Sequence, residues 1–472
     1  MNLAPARREC PAHDETARAY LVCNCRVRET RKTRAAVIIS HAKVRKDLSV
    51  YMAQQRIIIV GGGWGGVFTA LELAGAGEVT LISPEDHFLF TPMLYEYMSG
   101  EVEAWHIAPT YKELFDGNIR HIRGEVSAID FDNREVSIAG RVRPAAYDAL
   151  VLAPGGVTNF ANVEGAQEHA IPFRKIADAD QLRNRMIDAL DRVSPDAAPQ
   201  DAKSAVTFAV VGAGASGVET ATKMADLLND AFRRRGLQGE PRVMILEMGE
   251  RVVPGMDDDL REHVIGAMQR SRVEVHTGTR VRRITSQNVI FEHDGKETQL
   301  KAAGIVWTAG VKVSPLIERL DVEKDASGHV KTTPTLQLPA HVEVFALGDI
   351  AYFPNKPEEL DAAGYPHEAA RLSGTAQLAF QQSGLVAANV RALLAGRPLQ
   401  TRRFAELGEA VSLGTENAAV LAAGQVLEGA VARRARFAMY TSRLPTWQHR
   451  LKVGASWFFE GTQPRPLGLQ KR

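Results

Sequence analysis

Two glycine-rich turns in this chain have the spacing that holds a phosphate group. Each follows the pattern G-x-G-x-x-G, with its glycines at Gly61, Gly63 and Gly66 and again at Gly212, Gly214 and Gly217. The first glycine of such a turn allows a tight bend, the second lets a pyrophosphate approach the backbone, and the third lets helix and strand pack closely. A phosphate bound there lies at the positive end of the next helix. We therefore expect two dinucleotide sites.

The sequence around each turn predicts a strand, a helix and a second strand. The stretch RIIIVGGGWGGVFTALELAGAGEVTLIS, which begins at Arg56, reads as a buried strand, the turn, an amphipathic helix and a strand that ends near Ser83. The stretch that begins at Val206 repeats this plan and ends in RVMILEMG. A glycine-rich turn without this context is often only a turn. The context predicts an α/β fold with two Rossmann-like dinucleotide-binding domains.

The residue that ends the second strand of each unit differs between the two units. Glu247 ends that strand in the second unit, where a carboxylate can accept both ribose hydroxyls of an adenosine and repels a 2′-phosphate. We therefore expect NADH rather than NADPH there; the alternative is an acid that is merely solvated. The first unit has Ser83 at this position. Either Ser83 contacts the ribose, or Glu85 or Asp86 reaches back to it.

Further glycines mark places where the backbone can approach a ligand. Gly348 and Asp349 follow a buried strand in VEVFALGDIA, where amides and one carboxylate can meet the ribityl and pyrophosphate part of a flavin. Gly155 in LVLAPGG and Gly310 in VWTAGV are expected at chain crossings between domains. Two dinucleotide domains suggest one tightly held redox cofactor and one exchangeable one.

Composition excludes several other classes of function. The chain has 472 residues, of which 24% are charged and 45% hydrophobic, which is typical of about two or three globular domains. A net charge of +1 provides no general attraction to nucleic acid. All three cysteines, Cys10, Cys23 and Cys25, precede the glycine turns, so thiol redox chemistry is not expected in the main body. Their spacing with His13 and His41 fits no zinc pattern, and we expect no metal.

Four motifs resemble those of a known family, the type II NADH:quinone oxidoreductases. They are HFLFTPMLYE at 87–96, GAGASGVE at 212–219, ALGDIA at 346–351 and TAQLAFQQ at 375–382. These enzymes are non-proton-pumping NADH dehydrogenases of the flavoprotein group with two dinucleotide-binding domains. The resemblance covers roughly residues 55–460 and implies FAD as the cofactor, NADH as the co-substrate and a membrane quinone as the acceptor.

The resemblance also implies a domain order in which the NADH domain interrupts the FAD domain. Residues 54–170 and 331–395 are expected to form the two parts of the FAD-binding domain, and 171–330 the NADH-binding domain. Residues 396–472 are expected to form a C-terminal region with a membrane-binding helix. We expect residues 1–53, which have no apolar periodicity, to be a disordered extension.

The last motif and Glu219 are expected to carry the chemistry. Gln377 and Gln381 lie four apart on one helical face, and the resemblance places that face beside the flavin ring at the quinone site. Amide groups can donate to a quinone carbonyl without bringing charge into an apolar tunnel; the alternative is a solvated polar face. The resemblance places Glu219 near the nicotinamide, where it could orient that ring or relay a proton. The alternative is a first-turn acid stabilised by the helix dipole.

The resemblance adds further cofactor contacts to those that follow from the glycine pattern. They are Thr91, Ser216, Ala376 and Gln377. Ala376 and Ala379 are small enough for a flat ring to approach the helix.

A basic, apolar segment near the C-terminus predicts a membrane surface. From Val431 onward nine Lys or Arg residues stand against one acid, Glu460. An apolar stripe recurs at helical spacing: Leu444, Trp447, Leu451, Ala455 and Phe458. Such a helix can lie on an anionic membrane; the alternatives are packing on the protein itself or a homodimer. Pro445 and Gly454 predict a short or broken helix.

These expectations combine into one function with two alternatives. The predicted enzyme is a peripheral membrane protein, on the cytoplasmic face of a bacterial inner membrane or in an organelle, that passes electrons from NADH through FAD to quinone. One alternative is an NADH reductase of a small electron carrier such as rubredoxin or ferredoxin. The other is a flavin-bound redox sensor that does not turn over. Flavoproteins of similar architecture, such as sulfide:quinone oxidoreductases and disulfide reductases, act through active-site cysteines. Such chemistry is not expected in this chain, because no cysteine follows Cys25.

Overall fold

The computed structural model describes residues 55–352, 375–404, 408–422 and 424–468. These residues all belong to one of the two compact units of the chain, which begins at Ala53. The predicted N-terminal extension and its three cysteines lie outside the described residues.

The first large sheet is built from strands at both ends of the described chain. Its members are β1 (Arg56–Val60), β2 (Glu78–Ser83), β3 (Arg120–Arg123), β7 (Ala149–Leu152), β19 (Gln337–Leu338) and β20 (His341–Ala346). Their order is β19-β20-β7-β1-β2-β3, and every pair is parallel except β19 with β20. The run Ile57–Val60 is buried, as expected for a central parallel strand covered on both faces.

The second large sheet lies, in sequence, between two strands of the first. Its members are β9 (Ile171–Pro172), β10 (Thr207–Val211), β11 (Arg242–Leu246), β12 (Val273–His276) and β16 (Gly304–Trp307). They form an all-parallel sheet in the order β12-β11-β10-β16-β9. The two sheets confirm the predicted α/β class with two dinucleotide-binding units.

Five smaller sheets of two or three strands accompany the two large sheets in the described residues. Three have three strands: β4 (Val126–Asp130), β5 (Glu135–Ile138) and β6 (Ala145–Ala146); β13 (Thr279–Ile284), β14 (Asn288–His293) and β15 (Lys296–Lys301); and β22 (Glu409–Ser412), β23 (Ala418–Ala422) and β24 (Gln425–Glu428). Two are pairs: β8 (Gly156–Thr158) with β17 (Val311–Val313), and β18 (Val330–Lys331) with β21 (Ala351–Tyr352).

The helices of the described residues are mostly short, and four of them matter most for the site. In chain order they are α1 (Trp64–Leu73), α2 (Leu94–Ser99), α3 (Ala104–Ile107), α4 (Tyr111–Phe115), α5 (Ala166–His169), α6 (Ile176–Asp191), α7 (Pro199–Ala205), α8 (Ala215–Arg235), α9 (Asp258–Arg270), α10 (Pro315–Arg319), α11 (Ala376–Leu394), α12 (Ala430–Ser442) and α13 (Trp447–Glu460). Helices α1 and α8 follow the two glycine turns, α11 carries the glutamine motif, and α12 lies close to both dinucleotide units.

The long helices begin and end at recognisable residues. Helix α8 ends at Gly236, which has a left-handed φ of +63°, after three arginines in the last turn that complement the negative end of the helix. Helix α11 begins after Thr375, whose side chain accepts a hydrogen bond from the Leu378 N–H. It packs against α1. The helix with the glutamine motif therefore lies next to the first glycine turn.

The predicted break in the C-terminal helix occurs at only one of the two expected residues. Pro445 lies in the link between α12 and α13, but α13 runs through Gly454. One internal glycine costs a helix about 1 kcal/mol, and the burial of Val453 on the inner face of α13 offsets it. Among the described residues, no helix is both long and apolar enough to cross a bilayer.

Candidate functional site

The first and third glycines of the first turn cannot carry a side chain, and the same holds for the equivalent glycines of the second turn. Gly61 and Gly212 have φ of +105° and +102°, which disfavours any side chain. A Cβ at Gly66 would lie 1.9 Å from the carbonyl oxygen of Gly61, and a Cβ at Gly217 would lie 1.9 Å from that of Gly212. The bend and the close packing of helix on strand thus require glycine in both units.

The middle glycine of each turn is open. A Cβ at Gly63 or Gly214 would have no heavy atom within 4 Å. Both residues are N-caps without a side-chain cap, and they precede the first N–H groups of α1 and α8, which have no acceptor within the helix. Open space in front of such amides fits a pyrophosphate. Both turns therefore fit the diphosphate of a dinucleotide such as FAD or NADH.

The residues predicted to hold FAD converge at one edge of the first sheet. A Cβ at Gly61 would lie 2.1 Å from the Ala153 oxygen, and a Cβ at Gly65 would lie 3.1 Å from the Leu347 side chain. Gly155 follows Ala153 by two residues and Gly348 follows Leu347 directly, and these glycines have φ of +66° and +76°. The glycine turn, the crossing at Gly155 and the Gly348–Asp349 turn thus meet at the carboxyl ends of β1, β7 and β20, where such sheets bind ligands.

Ser83 lies beside the first glycine turn and is joined to Glu85. Its hydroxyl donates to Glu85 at 3.3 Å, and Glu85 forms an ion pair with Lys175 at 3.0 Å. Burial raises the pKa of Glu85, but Lys175 outweighs this and lowers it below its usual value. Tyr111, which sequence reasoning missed, donates to the Gly62 carbonyl at 2.9 Å. The carboxylate nearest this turn is therefore ionised and already paired.

The other two predicted contacts of the first unit lie at the surface. Asp86 is paired with His87 at 2.9 Å, whereas Glu85 is the acid that the Ser83 hydroxyl contacts. Asp86 is therefore the less suitable of the two acids for reaching a ribose at Ser83. Thr91 is exposed and begins a 3₁₀ turn, Thr91–Met93. The Arg436 guanidinium donates to the Pro92 oxygen of that turn at 2.8 Å. The position of Thr91 is thus fixed by a residue of the C-terminal region.

Glu247 is held rigidly at the second glycine turn. Its carboxylate accepts one hydrogen bond from the Ala213 N–H and one from the Gly249 N–H, both at 2.6 Å. A carboxylate has about four acceptor sites, so two remain for ribose hydroxyls. The arrangement fixes the acid at the carboxyl end of β11, where the sequence predicted a ribose contact.

The remaining predicted contacts of the second unit surround the same turn. The Thr308 hydroxyl donates to the Gly212 oxygen at 3.1 Å, which brings the end of β16 and the neighbouring Gly310 to the turn. Ser216 is exposed at the start of α8, and its hydroxyl lies 3.0 Å from the Tyr95 hydroxyl of α2. The NADH-side residues therefore lie together, and Ser216 links them to the first unit.

Helix α11 lies against the predicted flavin turn through a glutamine that sequence reasoning did not select. The Gly348 N–H donates to Gln382 Oε1 at 2.8 Å, and a Cβ at Gly348 would lie 3.5 Å from the Ala379 Cβ. Gln377 and Gln381 are half-buried, whereas Gln382 is fully buried. Ala376 is half-buried at the start of the helix.

Glu219 is buried and has a raised pKa. It is the fifth residue of α8, beyond the first turn, so the alternative of a first-turn acid stabilised by the helix dipole is wrong. Its Oε1 accepts from the Ser412 N–H at 2.9 Å and from Arg436 at 3.2 Å. Burial raises the pKa of Glu219 to about 7, against the opposing effect of Arg436. A group that titrates near neutral pH can take up and release protons.

Glu219 belongs to a buried network of six charged side chains that sequence reasoning missed. Its members are Glu96, Glu101, Glu219, Lys223, Arg433 and Arg436. Arg436 lies 2.6 Å from Glu96, and Arg433 lies 2.8 Å from Glu101. Lys223 pairs with both Glu96 and Glu101. When Glu219 is ionised, three acids and three bases leave no net charge. The network joins α2, α8 and α12.

The spacing of these residues carried a signal of the network. Glu219 and Lys223 are four apart on α8, and Arg433 and Arg436 are three apart on α12, so each pair lies on one helical face. Arg436 is 1% exposed and therefore is not part of the basic surface that we predicted for this region.

The predicted apolar stripe of the C-terminal region is exposed on α13 except at its first residue. Trp447, Leu451 and Phe458 are 66%, 63% and 83% exposed, whereas Leu444 is fully buried. Leu444 lies in the link before α13 and packs in the main core. Trp105 of α3 is 45% exposed, and its ring centroid lies 6.4 Å from that of His449 on α13. Sequence reasoning did not find Trp105, because it lies far from α13 in the chain.

Comparisons with known proteins agree with this geometry. The profile of the pyridine nucleotide-disulphide oxidoreductase family matches residues 55–379. Demethylphylloquinone reductase from Synechocystis is 35% identical over 88% of this chain and 97% of its own length. A type II NADH:quinone oxidoreductase from Mycobacterium tuberculosis is 30% identical over 73% of each chain. The structure of NDH2 from Plasmodium falciparum in complex with NADH has a TM-score of 0.75 and 18% identity, over 88% of this chain and all of that one.

Proposed function

Because this chain belongs to the pyridine nucleotide-disulphide oxidoreductase family, and within it to the type II NADH:quinone oxidoreductases, we propose that it oxidises NADH and reduces a membrane quinone through bound FAD. The overall reaction converts NADH, one proton and a quinone to NAD⁺ and a quinol, and pumps no protons. We assign FAD to residues 54–170 and 331–395, NADH to 171–330 and membrane contact to 396–472.

The observation that carries this proposal is the equivalence of the two glycine turns. In both, the outer glycines are closed by neighbouring backbone and the middle glycine is open. One chain can thus hold a resident dinucleotide and an exchangeable one. No cysteine follows Cys25, so the chemistry of the disulphide-reducing branch of the family has no thiol here.

Each dinucleotide has its own set of side chains and amides. FAD, which when bound accepts two electrons from NADH and returns them to quinone, would be held by the Gly61 turn, Ser83, Thr91, Gly155 and the Gly348–Asp349 turn. NADH would lie with its pyrophosphate at Gly214 and Ser216 and its adenosine ribose on Glu247, beside Gly310. The carboxylate of Glu247 disfavours a 2′-phosphate, which makes NADH the expected donor.

The proton and the quinone have separate candidate residues. Glu219, buried and titrating near pH 7, can hold the proton that the overall reaction consumes. Gln377 and Gln381 can donate hydrogen bonds to the quinone carbonyls from α11, whose neighbouring residue Gln382 already contacts the turn at Gly348. The half-buried state of both residues suits a site that a substrate must enter.

The exposed face of α13 is the proposed contact with the lipid that dissolves the quinone. Large apolar side chains there are 63–83% exposed, and Arg443, Arg450 and Lys452 lie beside them and favour an anionic surface. We place this contact on the cytoplasmic face of a bacterial inner membrane. A homodimer through the same region is the competing use of this face.

Anaerobic absorbance of the flavin band tests the proposal. We expect NADH, but not NADPH, to bleach the band of the detergent-solubilised protein, and a short-tailed quinone to restore it fully. Bleaching without recovery would point instead to a protein acceptor such as a rubredoxin or ferredoxin, or to a sensor without turnover. Absence of flavin from the purified protein would overturn the proposal.

A further inference from the structure

We propose that Gln382 is a further FAD-holding residue, whose side-chain N–H donates a hydrogen bond to the flavin part of the cofactor. Of the proposed function, this inference needs only the presence of FAD in the first site, and it does not depend on the identity of the electron acceptor.

The side-chain amide of Gln382 is only half satisfied. The residue is 0% exposed, and its Oε1 accepts from the Gly348 N–H at 2.8 Å. Because a backbone N–H can only donate, the atom that faces it must be the oxygen. Nε2 is buried and has no hydrogen-bond partner among the described residues. A buried donor without an acceptor is costly and uncommon in folded proteins, which indicates that a ligand supplies the acceptor.

The position of this amide identifies the ligand. Gly348 follows β20, and the preceding Leu347 N–H donates to the Leu152 oxygen at 3.1 Å, beside the crossing that leads to Gly155. The Leu347 side chain also contacts α1 at Gly65. Oε1 and Nε2 belong to one planar amide, so Nε2 lies within one amide width of the turn where the FAD-side residues meet. Flavin rings and ribityl chains carry several oxygen and nitrogen acceptors.

A second buried amide on the same helix provides a comparison for Gln382. Asn389 lies seven residues, or about two turns, after Gln382 and is also 0% exposed. Its Nδ2 donates to the carbonyls of Thr335 and Gln400 at 3.0 and 2.9 Å, and its Oδ1 accepts from the Gln400 N–H at 2.8 Å. Where α11 packs only on protein, its buried amide is fully paired. Where α11 meets the turn at Gly348, the Nε2 donor of Gln382 has no acceptor among the described residues.

FAD affinity of matched variants tests this inference. Gln382→Glu keeps an acceptor for the Gly348 N–H and removes the donor, while Gln382→Met removes both without burying a charge. We expect titration of the apoprotein with FAD to give a Kd about tenfold to a hundredfold higher for each variant, because an acceptor on the cofactor loses its donor. Asn389→Asp makes the same amide-to-acid change away from the turn. It should lower the thermal midpoint but leave the FAD Kd within about twofold, the usual size of an effect without a lost contact.

The outcomes separate this inference from the proposed function. A Gln382→Met protein that binds FAD as tightly as the wild type would overturn the role of Gln382, and this variant decides the matter if Gln382→Glu does not fold. An equal loss of affinity in Asn389→Asp would also overturn it, since the effect would then be one of general stability. Wild-type protein that binds no FAD would instead sink the proposed function.

Discussion

The guanidinium of Arg436 lies 3.2 Å from the carboxylate of Glu219, across 217 positions of the chain. Arg436 belongs to α12 of the C-terminal region, and Glu219 belongs to the helix that follows the second glycine turn. The same guanidinium bonds Glu96 at 2.6 Å and the Pro92 carbonyl at 2.8 Å. One side chain therefore connects the C-terminal region to both dinucleotide units, and the charge on Glu219 depends on it.

The first prediction concerns the pH dependence of quinone reduction. The pKa of Glu219 is about 7, so its protonated form, which can donate a proton, is present below pH 7 and lost above it. We expect kcat to fall as the pH rises through about 7, and Glu219→Gln to remove this inflection while lowering kcat. Arg436→Met removes a cation that opposes the raised pKa, so the inflection should move to higher pH. Steady-state rates with a soluble quinone, measured across pH, provide the check.

Other charged and titratable groups face Glu219 and set the control for this experiment. They are Tyr95 and Glu96 of α2, and Arg436 and Tyr440 of α12. Arg434→Met on α12 removes an exposed cation that is outside the network and should leave the inflection in place. If Glu219→Gln keeps the inflection of the wild type, Glu219 is not the group that titrates.

The second prediction concerns the stability of the buried network. Lys223 is 1% exposed and forms ion pairs with both Glu96 and Glu101. Lys223→Met leaves these two carboxylates with less positive charge in the interior, which should destabilise the protein by about 3–5 kcal/mol. The thermal midpoint and the denaturant midpoint should both fall. Because the network then has one more acid than base, adding Glu101→Gln should recover part of the loss.

Helix α8 itself offers a control for this prediction. Arg233 is 76% exposed and pairs with Asp230 at 3.4 Å, and exposed pairs contribute only about 0–1 kcal/mol. Arg233→Met should therefore change the midpoints little. Equal stabilities of Lys223→Met and Arg233→Met would show that the network contributes nothing.

The third prediction concerns the choice between NADH and NADPH. Both oxygens of Glu247 already accept backbone N–H groups, so Glu247→Gln would turn a donor toward either Ala213 or Gly249. It also removes the charge that repels a 2′-phosphate. We expect kcat/KM for NADH to fall about tenfold or more, as for the loss of a charged hydrogen bond. The ratio of kcat/KM for NADPH to kcat/KM for NADH should therefore rise. Glu250→Gln, at a nearby exposed acid, is the matched control; an unchanged ratio in Glu247→Gln would contradict the assignment.

The glycine turns could be predicted from the sequence because their requirements are local. A bend with φ near +100° and the approach of a helix to a strand involve residues a few positions apart, and only glycine satisfies them. Glu247 was also found this way, since it ends the strand that follows such a turn. The two parallel sheets followed from the same repeating pattern of strand, turn and helix.

The buried network and Gln382 could not be predicted in this way, because their partners are distant in the chain. Charged residues are usually at the surface, so the arginines of α12 read as a basic face until Glu96 and Glu219 are seen beside Arg436. The sequence does not distinguish Gln382, because the resemblance assigns the face of Gln377 and Gln381 to the quinone, and Gln382 lies on a different face of the helix. Leu444 has the spacing of the exposed stripe, but the chain turns at Pro445 and carries it into the core.

The last prediction concerns the exposed face of α13. Leu451 and Phe458 are 63% and 83% exposed, and burial of each in a lipid interface would contribute about 1.5–3 kcal/mol. We expect the double variant Leu451→Ser with Phe458→Ser to bind vesicles that contain an anionic lipid at least about tenfold more weakly. Binding of the wild type should also weaken as salt is raised, because basic side chains flank the stripe. Sedimentation with vesicles measures both effects.

Val142 provides the control for this prediction, since it is 99% exposed and belongs to the loop between β5 and β6. Val142→Ser removes a similar apolar surface and should leave vesicle binding unchanged, which separates this face from general surface hydrophobicity. NADH oxidation with a water-soluble quinone should be retained in the double variant, because none of its substitutions touches the dinucleotide sites. If the double variant still binds vesicles but its solution mass falls by half, the stripe is the interface of a homodimer and the membrane contact lies elsewhere.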